Sequence, residues 1–434
     1  MKTVREMLSK LLNVYNKYGF KIFCKKLYMY VVANYLDKIS LAVMLRPGHY
    51  RAELQKMLSS DYDRIVLWRS SFGYNVPLYQ RPQHISRNLA KNRCLVLYEV
   101  TTMTDKVKTL HKHSENLWLF NFNNRALSKL LMEELGKNPK PRYVQLYSTD
   151  WKLSVPDIKS YLQCGFGFIY EYIDHISPDL AGTKTLPVNI EDKYNYVMQC
   201  DDVYVVVTAD LLAQDVIAQR GEKRLAYSSN GVDYEFFQHF DEDYVFEPEF
   251  QRILDLGKPI VCYYGALAKW FDYDLLKKIA ATDRYSVVLF GIKYDESFDE
   301  NLGTEKNIYF LGPRDYRVLK NYARRADVLM IPFKINDITR STNPVKVFEY
   351  MALHKPIVTT DMDECHKYSS ILIGRDHDDF LYKLDMAMAL RHDDYYLQLL
   401  DTQARQNDWS FKAQAIIDMI RMDEPRLKDH TRCE

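Results

Sequence analysis

Residues 343–360 read NPVKVFEYMALHKPIVTT and place a helix start, a helix and a strand in immediate succession. Asn343 suits the helix cap and Pro344 the first helical position, because the fixed φ of proline already matches a helix. The apolar run at 357–359 predicts a buried strand. A helix followed at once by a strand is the repeating unit of a parallel sheet covered by helices.

The same alternation of short apolar runs and helical segments extends along most of the chain. In the first half the runs lie at 65–68, 94–98, 117–120, 143–146, 168–173 and 202–207. In the second half they lie at 260–264, 286–290, 308–310, 328–331 and 356–359. The pattern predicts two tandem α/β domains, each a doubly wound, Rossmann-like parallel sheet.

The predicted domain boundaries follow changes in composition. Residues 1–58 form a basic helical arm, residues 59–240 the first domain and residues 258–400 the second, with an acidic, irregular linker at 240–258. Two such sheets that face one another place the carboxyl ends of their strands across a cleft, where doubly wound domains bind ligands. Functional residues are therefore expected just after strands.

Charge is balanced over the whole chain but not at its start. The 434 residues include 59 basic and 58 acidic side chains, a net charge of +1, which argues against nucleic acid as a partner. The arm has eleven basic and three acidic residues, a charge of +8, with apolar residues at helical spacing between the lysines. This pattern fits a helix on an anionic membrane surface, and equally a basic helix that packs on its own first domain.

The cysteines and the apolar segments bear on location. Seven cysteines without a C-x-x-C pair argue against a disulfide framework and a thiolate zinc site. The start resembles no signal peptide, and the longest membrane-span candidate, 27–36, has half the length that a bilayer requires. We expect a cytoplasmic protein, at the inner face of the cell membrane if the arm binds lipid.

The helix that begins near residue 343 has the chemistry of a nucleotide site. Its free N–H groups and the positive end of its dipole attract anions, and Lys346 adds a full charge that suits a pyrophosphate. Glu349 lies three residues further on the same face, and its carboxylate could accept both hydroxyls of a ribose. The alternative is an ordinary amphipathic helix on which these two residues form an exposed ion pair.

These residues resemble a known family. The run 343–360 is similar to the donor-site signature of GT-B glycosyltransferases of the large retaining, family-4-like group. Three further stretches match that group in the same order: 80–84 (QRPQH), 228–233 (SSNGVD) and 264–272 (YGALAKWFD). The first of them resembles the Arg-Pro loop of polysaccharide-building members such as the teichuronic-acid transferases. The resemblance covers residues 62–420.

The resemblance implies a nucleotide-sugar donor, UDP- or GDP-linked, as co-substrate. The donor-binding residues that it implies are Gly265, Lys269, Gly291, Ser341, Thr342, Asn343, Lys346 and Glu349. It implies Asp174 and His175, together with Glu349, as catalytic residues. It places Arg81 and His84 on the acceptor side. It also implies that 401–434, which contains the dipeptide Trp409-Ser410, forms a terminal helix that crosses back to the first domain.

The expected activity is transfer of a sugar to a glycan or lipid-linked oligosaccharide in surface polysaccharide biosynthesis, with retention. No cofactor or metal is expected, because the D-x-D triplets lack a third ligand and because Asn343, Lys346 and Lys269 can stabilise the leaving diphosphate. The alternatives are a sugar-nucleotide 2-epimerase and a non-catalytic scaffold of the same fold. The motifs G-x-G-x-x-G, G-x-x-x-x-G-K-[ST] and G-x-S-x-G are missing where a dehydrogenase, a kinase-like protein or a hydrolase would need them.

Overall fold

The computed structural model describes residues 47–76, 79–100, 105–176, 188–303 and 305–424. Residues 1–46 of the predicted arm lie outside these ranges, so the choice between lipid and protein contact stays a prediction. The remainder of the arm, Pro47–Leu58, is a helix whose Leu54 and Met57 are fully buried in the first domain. The arm therefore extends no further than residue 46.

The first domain alternates strands and helices from its first strand onward. Its elements are α1 (Pro47–Leu58), β1 (Arg64–Trp68), α2 (Arg81–Lys91), β2 (Cys94–Glu99), β3 (Leu110–Ser114), β4 (Leu117–Phe120), α3 (Arg125–Gly136), β5 (Arg142–Tyr147), α4 (Val155–Gln163), β6 (Gly167–Tyr172), α5 (Val188–Gln199), β7 (Val203–Val207), α6 (Asp210–Arg220) and β8 (Leu225–Tyr227).

These eight strands form one sheet in the order β3-β4-β2-β1-β5-β6-β7-β8. All neighbours pair in parallel except β3, which is antiparallel to β4. Strands β1, β2, β5, β6 and β7 are buried along their whole length, as parallel strands covered on both faces must be. The strand β3 escaped prediction because its sequence, LHKHS, is polar and mostly exposed.

The linker and the second domain repeat the pattern. Their elements are α7 (Tyr234–Gln238), α8 (Pro248–Asp255), β9 (Ile260–Tyr264), α9 (Tyr273–Ala281), β10 (Ser286–Phe290), α10 (Ser297–Asn301), β11 (Ile308–Phe310), α11 (Tyr316–Ala323), β12 (Val328–Ile331), α12 (Asp337–Arg340), α13 (Val345–Ala352), β13 (Ile357–Thr360), a 3₁₀ helix (Asp363–Lys367), β14 (Ile371–Gly374), α14 (His377–Leu390), α15 (Asp394–Gln406) and α16 (Trp409–Arg421).

The second sheet has the order β11-β10-β9-β12-β13-β14, and every neighbouring pair is parallel. The direction of winding reverses between β9 and β12 in this sheet, and between β1 and β5 in the first. Crevices form at such switch points, at the carboxyl ends of the strands. The predicted fold class, two Rossmann-like parallel-sheet domains, is confirmed.

The chain crosses between the domains twice, at adjacent positions. The Val232 backbone N–H donates to the carbonyl of Asn407 (3.0 Å), and the Trp409 N–H donates to the carbonyl of Val232 (3.0 Å). Helix α16 then buries Trp409, Ile416 and Ile420 in the core of the first domain. Helix α15 packs in the second domain as far as Ala404. The crossing thus lies at 407–408, a few residues after the predicted boundary at 401.

Among the described residues, every helix is too short or too polar to cross a membrane.

Candidate functional site

A cavity of about 400 Å³ lies between the carboxyl ends of the two sheets. Its lining includes Tyr147 and Asp174 from the first domain. Tyr147 ends β5, the strand at the first switch point, and Asp174 follows the neighbouring strand β6. The second domain contributes Gly265, Gly291, Thr342, Asn343, Lys346 and Glu349. Another cavity, of about 550 Å³, lies at the amino ends of β9 and β12 and touches none of the predicted site residues. The first cavity is therefore the candidate site.

Glu349 of α13 is a buried carboxylate in the cavity wall. It is 5% exposed, and burial raises its pKa, although the nearby Tyr264 hydroxyl and Lys346 ammonium act in the opposite direction. Among the described residues, no ion pair within 4 Å links Glu349 to Lys346, which is itself half-buried. These observations exclude the exposed ion pair that the sequence left open. A carboxylate held in this way is suited to accept hydroxyl groups of a ligand.

Lys346 reaches the cavity across the end of β9, where the chain has a glycine. Gly265 has a φ of +146°, and a Cβ atom there would come within 2.8 Å of the Lys346 Nζ and 2.7 Å of the Tyr263 hydroxyl. Burial lowers the pKa of Lys346, and the Glu349 charge opposes that shift. Since Nζ has no carboxylate within 4 Å in the described part of the chain, the ammonium is available to an anion.

Gly291 lies at the end of β10, directly against Gly265. Its φ is +143°, and a Cβ atom there would overlap the carbonyl of Gly265. The Gly265 N–H donates to the carbonyl of Phe290 (2.9 Å), and the Gly291 N–H donates to that of Gly312 (3.0 Å). The backbone turns at these strand ends approach one another so closely that side chains are excluded.

Arg314 also lines the cavity, and sequence reasoning missed it. Its guanidinium lies 5.6 Å from the centre of the Phe290 ring, donates to the carbonyl of Leu311 (2.6 Å) and pairs with Glu247 (3.5 Å). The sequence could have indicated it, because Arg314 follows the predicted strand 308–310, and functional residues were expected just after strands.

Asn343 borders the cavity but does not cap the helix. Helix α13 begins at Val345 with Pro344 as its cap, one residue later than predicted. The Asn343 side chain instead accepts a hydrogen bond from the Asn230 N–H (3.0 Å) and donates to the Glu364 carboxylate (2.8 Å). Because Asn230 belongs to the first domain, this amide bridges the two domains beside the cavity.

Glu364 is the centre of that bridge and was not predicted. Its buried carboxylate accepts from the backbone N–H of Asp210 (2.8 Å) and from the Tyr227 hydroxyl (3.1 Å), both in the first domain. Lys367 pairs with Asp210 across the same interface (2.7 Å). The contact joins residues far apart in sequence, so no local pattern could reveal it.

Two predicted donor-binding residues lie elsewhere. The Ser341 hydroxyl is buried and donates to the carbonyls of Asp337 (3.1 Å) and Ile338 (3.0 Å) of the short helix α12. Lys269 is exposed, because the turn after Gly265 carries it away from the cavity. Neither lines the cavity, whereas Thr342 does.

The two predicted catalytic residues of the first domain separate in the structure. Asp174 lines the cavity, and burial raises its pKa to about 6. His175 is exposed and does not line the cavity, because adjacent residues of the extended segment after β6 point to opposite sides. Residues 177–187, next along the chain, lie outside the described residues.

Arg81 borders the cavity, but its guanidinium is used within the protein. It donates to Glu171 (2.6 Å), to the Ser229 carbonyl (2.9 Å) and to the Ser228 hydroxyl (3.0 Å). It therefore ties the start of α2 to β6 and to the segment that follows β8. A buried arginine with these partners positions the elements around it, and the acceptor-side role of Arg81 stays a prediction.

His84, the second predicted acceptor-side residue, is also buried. Its ring stacks on Trp409 at 5.0 Å between centres, and burial lowers its pKa to about 3. It faces a neighbouring cavity of about 460 Å³, on the far side of Tyr79. Helix α2 turns this side chain toward α16 and away from the donor cavity, and its acceptor-side role stays a prediction.

The described residues include no cluster of three or more His, Cys, Asp or Glu side chains arranged to hold a metal ion. Metal independence itself stays a prediction.

Comparison with known proteins agrees with the geometry. Residues 258–389, which contain β9 to most of α14, match the family model of Glycosyl transferases group 1. The match covers the second domain, which is therefore similar to the group 1 glycosyl transferases. The matched range contains the cavity-lining residues Gly265, Gly291, Arg314, Thr342, Asn343, Lys346 and Glu349.

A curated protein is also similar to this chain. The protein named teichuronic acid biosynthesis glycosyltransferase TuaH of Bacillus subtilis (strain 168) is 24% identical over 261 residues. The alignment covers 56% of this chain and 64% of that protein, so the chain spans less than two thirds of the relative's length.

Solved structures show that the whole architecture is the GT-B fold. Sucrose-phosphate synthase from Thermosynechococcus elongatus superposes with a TM-score of 0.57 at 13% identity, over 83% of this chain and 98% of that one. HepE from Anabaena, in complex with UDP-glucose, superposes with a TM-score of 0.54 at 14% identity, over 83% and 99%. These likenesses establish the fold of both domains together.

Proposed function

We propose that this protein transfers a sugar from a nucleotide-sugar donor to a glycan, with retention, in the biosynthesis of a surface polysaccharide. The observation that supports it best is a buried carboxylate, Glu349, and an ammonium, Lys346, on one helix face in the cleft; no carboxylate within 4 Å pairs with that ammonium among the described residues. The nucleotide complexes of HepE and the name of TuaH support a UDP-linked donor and a polysaccharide product. GDP is the alternative nucleotide.

The proposed chemistry assigns one part of the donor to each group. Glu349 accepts the ribose hydroxyls, and Lys346 with the N–H groups at the start of α13 binds the diphosphate. As the bond between the anomeric carbon and the phosphate oxygen breaks, charge accumulates on the leaving diphosphate, where the Lys346 ammonium stabilises it. The acceptor hydroxyl forms the new bond to that carbon, and its proton passes to an oxygen of the departing diphosphate. Asp174, opposite α13, positions the sugar.

The site is proposed to work without a metal, because its own cation and helix N–H groups meet the diphosphate. We propose an acceptor that is a glycan or a lipid-linked oligosaccharide. We also propose that the enzyme is cytoplasmic and that residues 1–46 bind an anionic membrane at its inner face, which would bring the site close to such an acceptor.

Nucleotide release distinguishes the candidate functions. A transferase releases UDP or GDP from the nucleotide-sugar slowly until a glycan is added. An epimerase converts the sugar nucleotide without any acceptor, and a scaffold does neither. Thermal shifts with UDP, GDP and their glucose conjugates identify the donor first. Lys346→Ala should abolish the shift, whereas the exposed Lys269→Ala is the matched control and should keep it. No shift with any nucleotide would contradict the proposal.

A further inference from the structure

The rim of the cleft on the first domain carries two exposed aromatic side chains. Phe72 follows β1, and Trp151 follows β5, the strand beside it at the switch point of the first sheet. Phe72 is 51% exposed and Trp151 is 63% exposed. Both large rings lie on the same rim. Exposed apolar surface that is grouped in this way marks a site of contact.

The backbone under both rings is held in place. The Asp150 carboxylate accepts from the N–H (2.6 Å) and hydroxyl (2.8 Å) of Ser71 and from the N–H of Lys152 (2.9 Å). The Phe72 N–H donates to the Ser70 hydroxyl (3.0 Å). One carboxylate therefore ties the residue before Phe72 to the residues on either side of Trp151. Rings on a fixed backbone lose little entropy when a ligand binds.

The cations beside the rings, Arg69 and Lys152, already have a carboxylate partner. The buried Glu99 carboxylate pairs with Arg69 (2.8 Å) and with Lys152, and it also accepts from the Ser70 N–H (3.1 Å). An anionic lipid surface needs free basic residues next to the aromatic ones. Here the rim offers aromatic faces with hydroxyl and amide groups, a combination that suits an uncharged, hydroxyl-rich ligand.

The position of the rings indicates which ligand that is. Trp151 lies four residues beyond Tyr147, which lines the donor cavity, and an acceptor must approach the sugar along this edge. A pyranose presents a flat C–H face that stacks on an aromatic ring and hydroxyls that bond to its surroundings. A second copy of this chain is a poor alternative, since two rings offer about 250 Å² and a stable interface needs about 800 Å² per partner.

We propose that Phe72 and Trp151 form an acceptor platform on which a pyranose ring of the growing glycan stacks. The inference rests on the proposed function and deepens it, because it assigns the acceptor to named residues on the first domain. Neither Phe72 nor Trp151 was among the predicted acceptor-side residues, Arg81 and His84.

The test uses the full chain and three uncharged hexasaccharide probes: maltohexaose, cellohexaose and chitohexaose. At least one probe should bind by calorimetry, and Phe72→Ala and Trp151→Ala should each weaken that binding about tenfold. Tyr395→Ala is the matched control, because this ring on α15 is 80% exposed and distant from the cleft. Trp151 is the only exposed one of the five tryptophans, so the probe should also protect tryptophan fluorescence from iodide quenching.

Three results would overturn the platform: no probe binds, both variants bind as the wild type does, or the variants lose vesicle binding or self-association instead. Nucleotide titration of the same variants separates this inference from the proposed function. If the wild type binds UDP or GDP and no probe, the platform alone fails. If it binds a probe and neither nucleotide, the proposed function fails and the acceptor role with it, while glycan binding at the two rings stands.

Discussion

Replacement of Glu349 should improve the stability of the empty protein and impair the binding of its donor. Burial raises the pKa of this carboxyl, so the folded protein favours its protonated form. Its contribution to stability is present at low pH and is lost as pH rises through the raised pKa. Glutamine cannot ionise, so Glu349→Gln avoids this loss of folding stability while keeping the shape of the side chain. At neutral pH the variant should therefore unfold at the same or a higher temperature than the wild type.

The same change should weaken the nucleoside and the nucleotide alike. A charge-assisted hydrogen bond to a ribose contributes about 1.5 to 3 kcal/mol, which corresponds to roughly 10- to 150-fold in Kd. Lys346→Ala should spare the nucleoside, weaken the nucleoside diphosphate and lower turnover, because it removes charge only from the diphosphate region.

Calorimetric titration with uridine and UDP, or with guanosine and GDP, measures these differences, and scanning calorimetry at pH 5 and 7.5 measures stability. Glu300→Gln is the control, since this carboxylate is exposed and outside the cavity. Wild-type affinities in both site variants would refute the assignment. A Glu349→Gln variant that is less stable and binds normally would show that this carboxylate has a purely structural role.

Four further outcomes are expected. Gly265→Ala should abolish nucleoside diphosphate binding, because its Cβ would displace Lys346. The control Gly303→Ala, where the added Cβ enters open space, should bind as the wild type does. Equal affinity of the two variants for the nucleoside diphosphate would refute this packing. Asp174→Asn should become more stable relative to the wild type as pH rises from 4 to 7. The pKa of Asp174 is raised to about 6, so its ionisation in the wild type costs folding free energy. A Tm difference that does not change with pH would argue against this burial effect. Exhaustive chelation should leave nucleotide release unchanged, and loss of activity restored by manganese or magnesium would show that a metal is needed. Deletion of residues 1–46 should abolish binding to anionic liposomes at low salt, with a loss of about 1 kcal/mol of binding free energy for each basic residue removed. Nucleotide affinity should stay unchanged. A full chain that does not bind such liposomes would refute the membrane role.

The sequence by itself determined the fold class and the centre of the site. Apolar runs that alternate with helices can be buried only as parallel strands covered on both faces, so both sheets could be inferred from local pattern. Glu349 and Lys346 share a face because residues three apart on a helix are neighbours. Gly265 and Gly291 follow strands and belong to a recognisable motif. Each of these inferences depends on residues close together in the chain.

Only the tertiary structure decided which polar groups remain free for a ligand. Arg81 and Asn343 carry the right chemistry, but Glu171 and Glu364, distant in sequence, accept their hydrogen bonds. Arg314, which was not predicted, lines the cavity because the end of β11 lies beside the end of β10. Local spacing fixes which face of an element a side chain occupies. Its partner on that face depends on how the sheets and domains pack, and in this protein that packing separates structural polar residues from those that line the cavity.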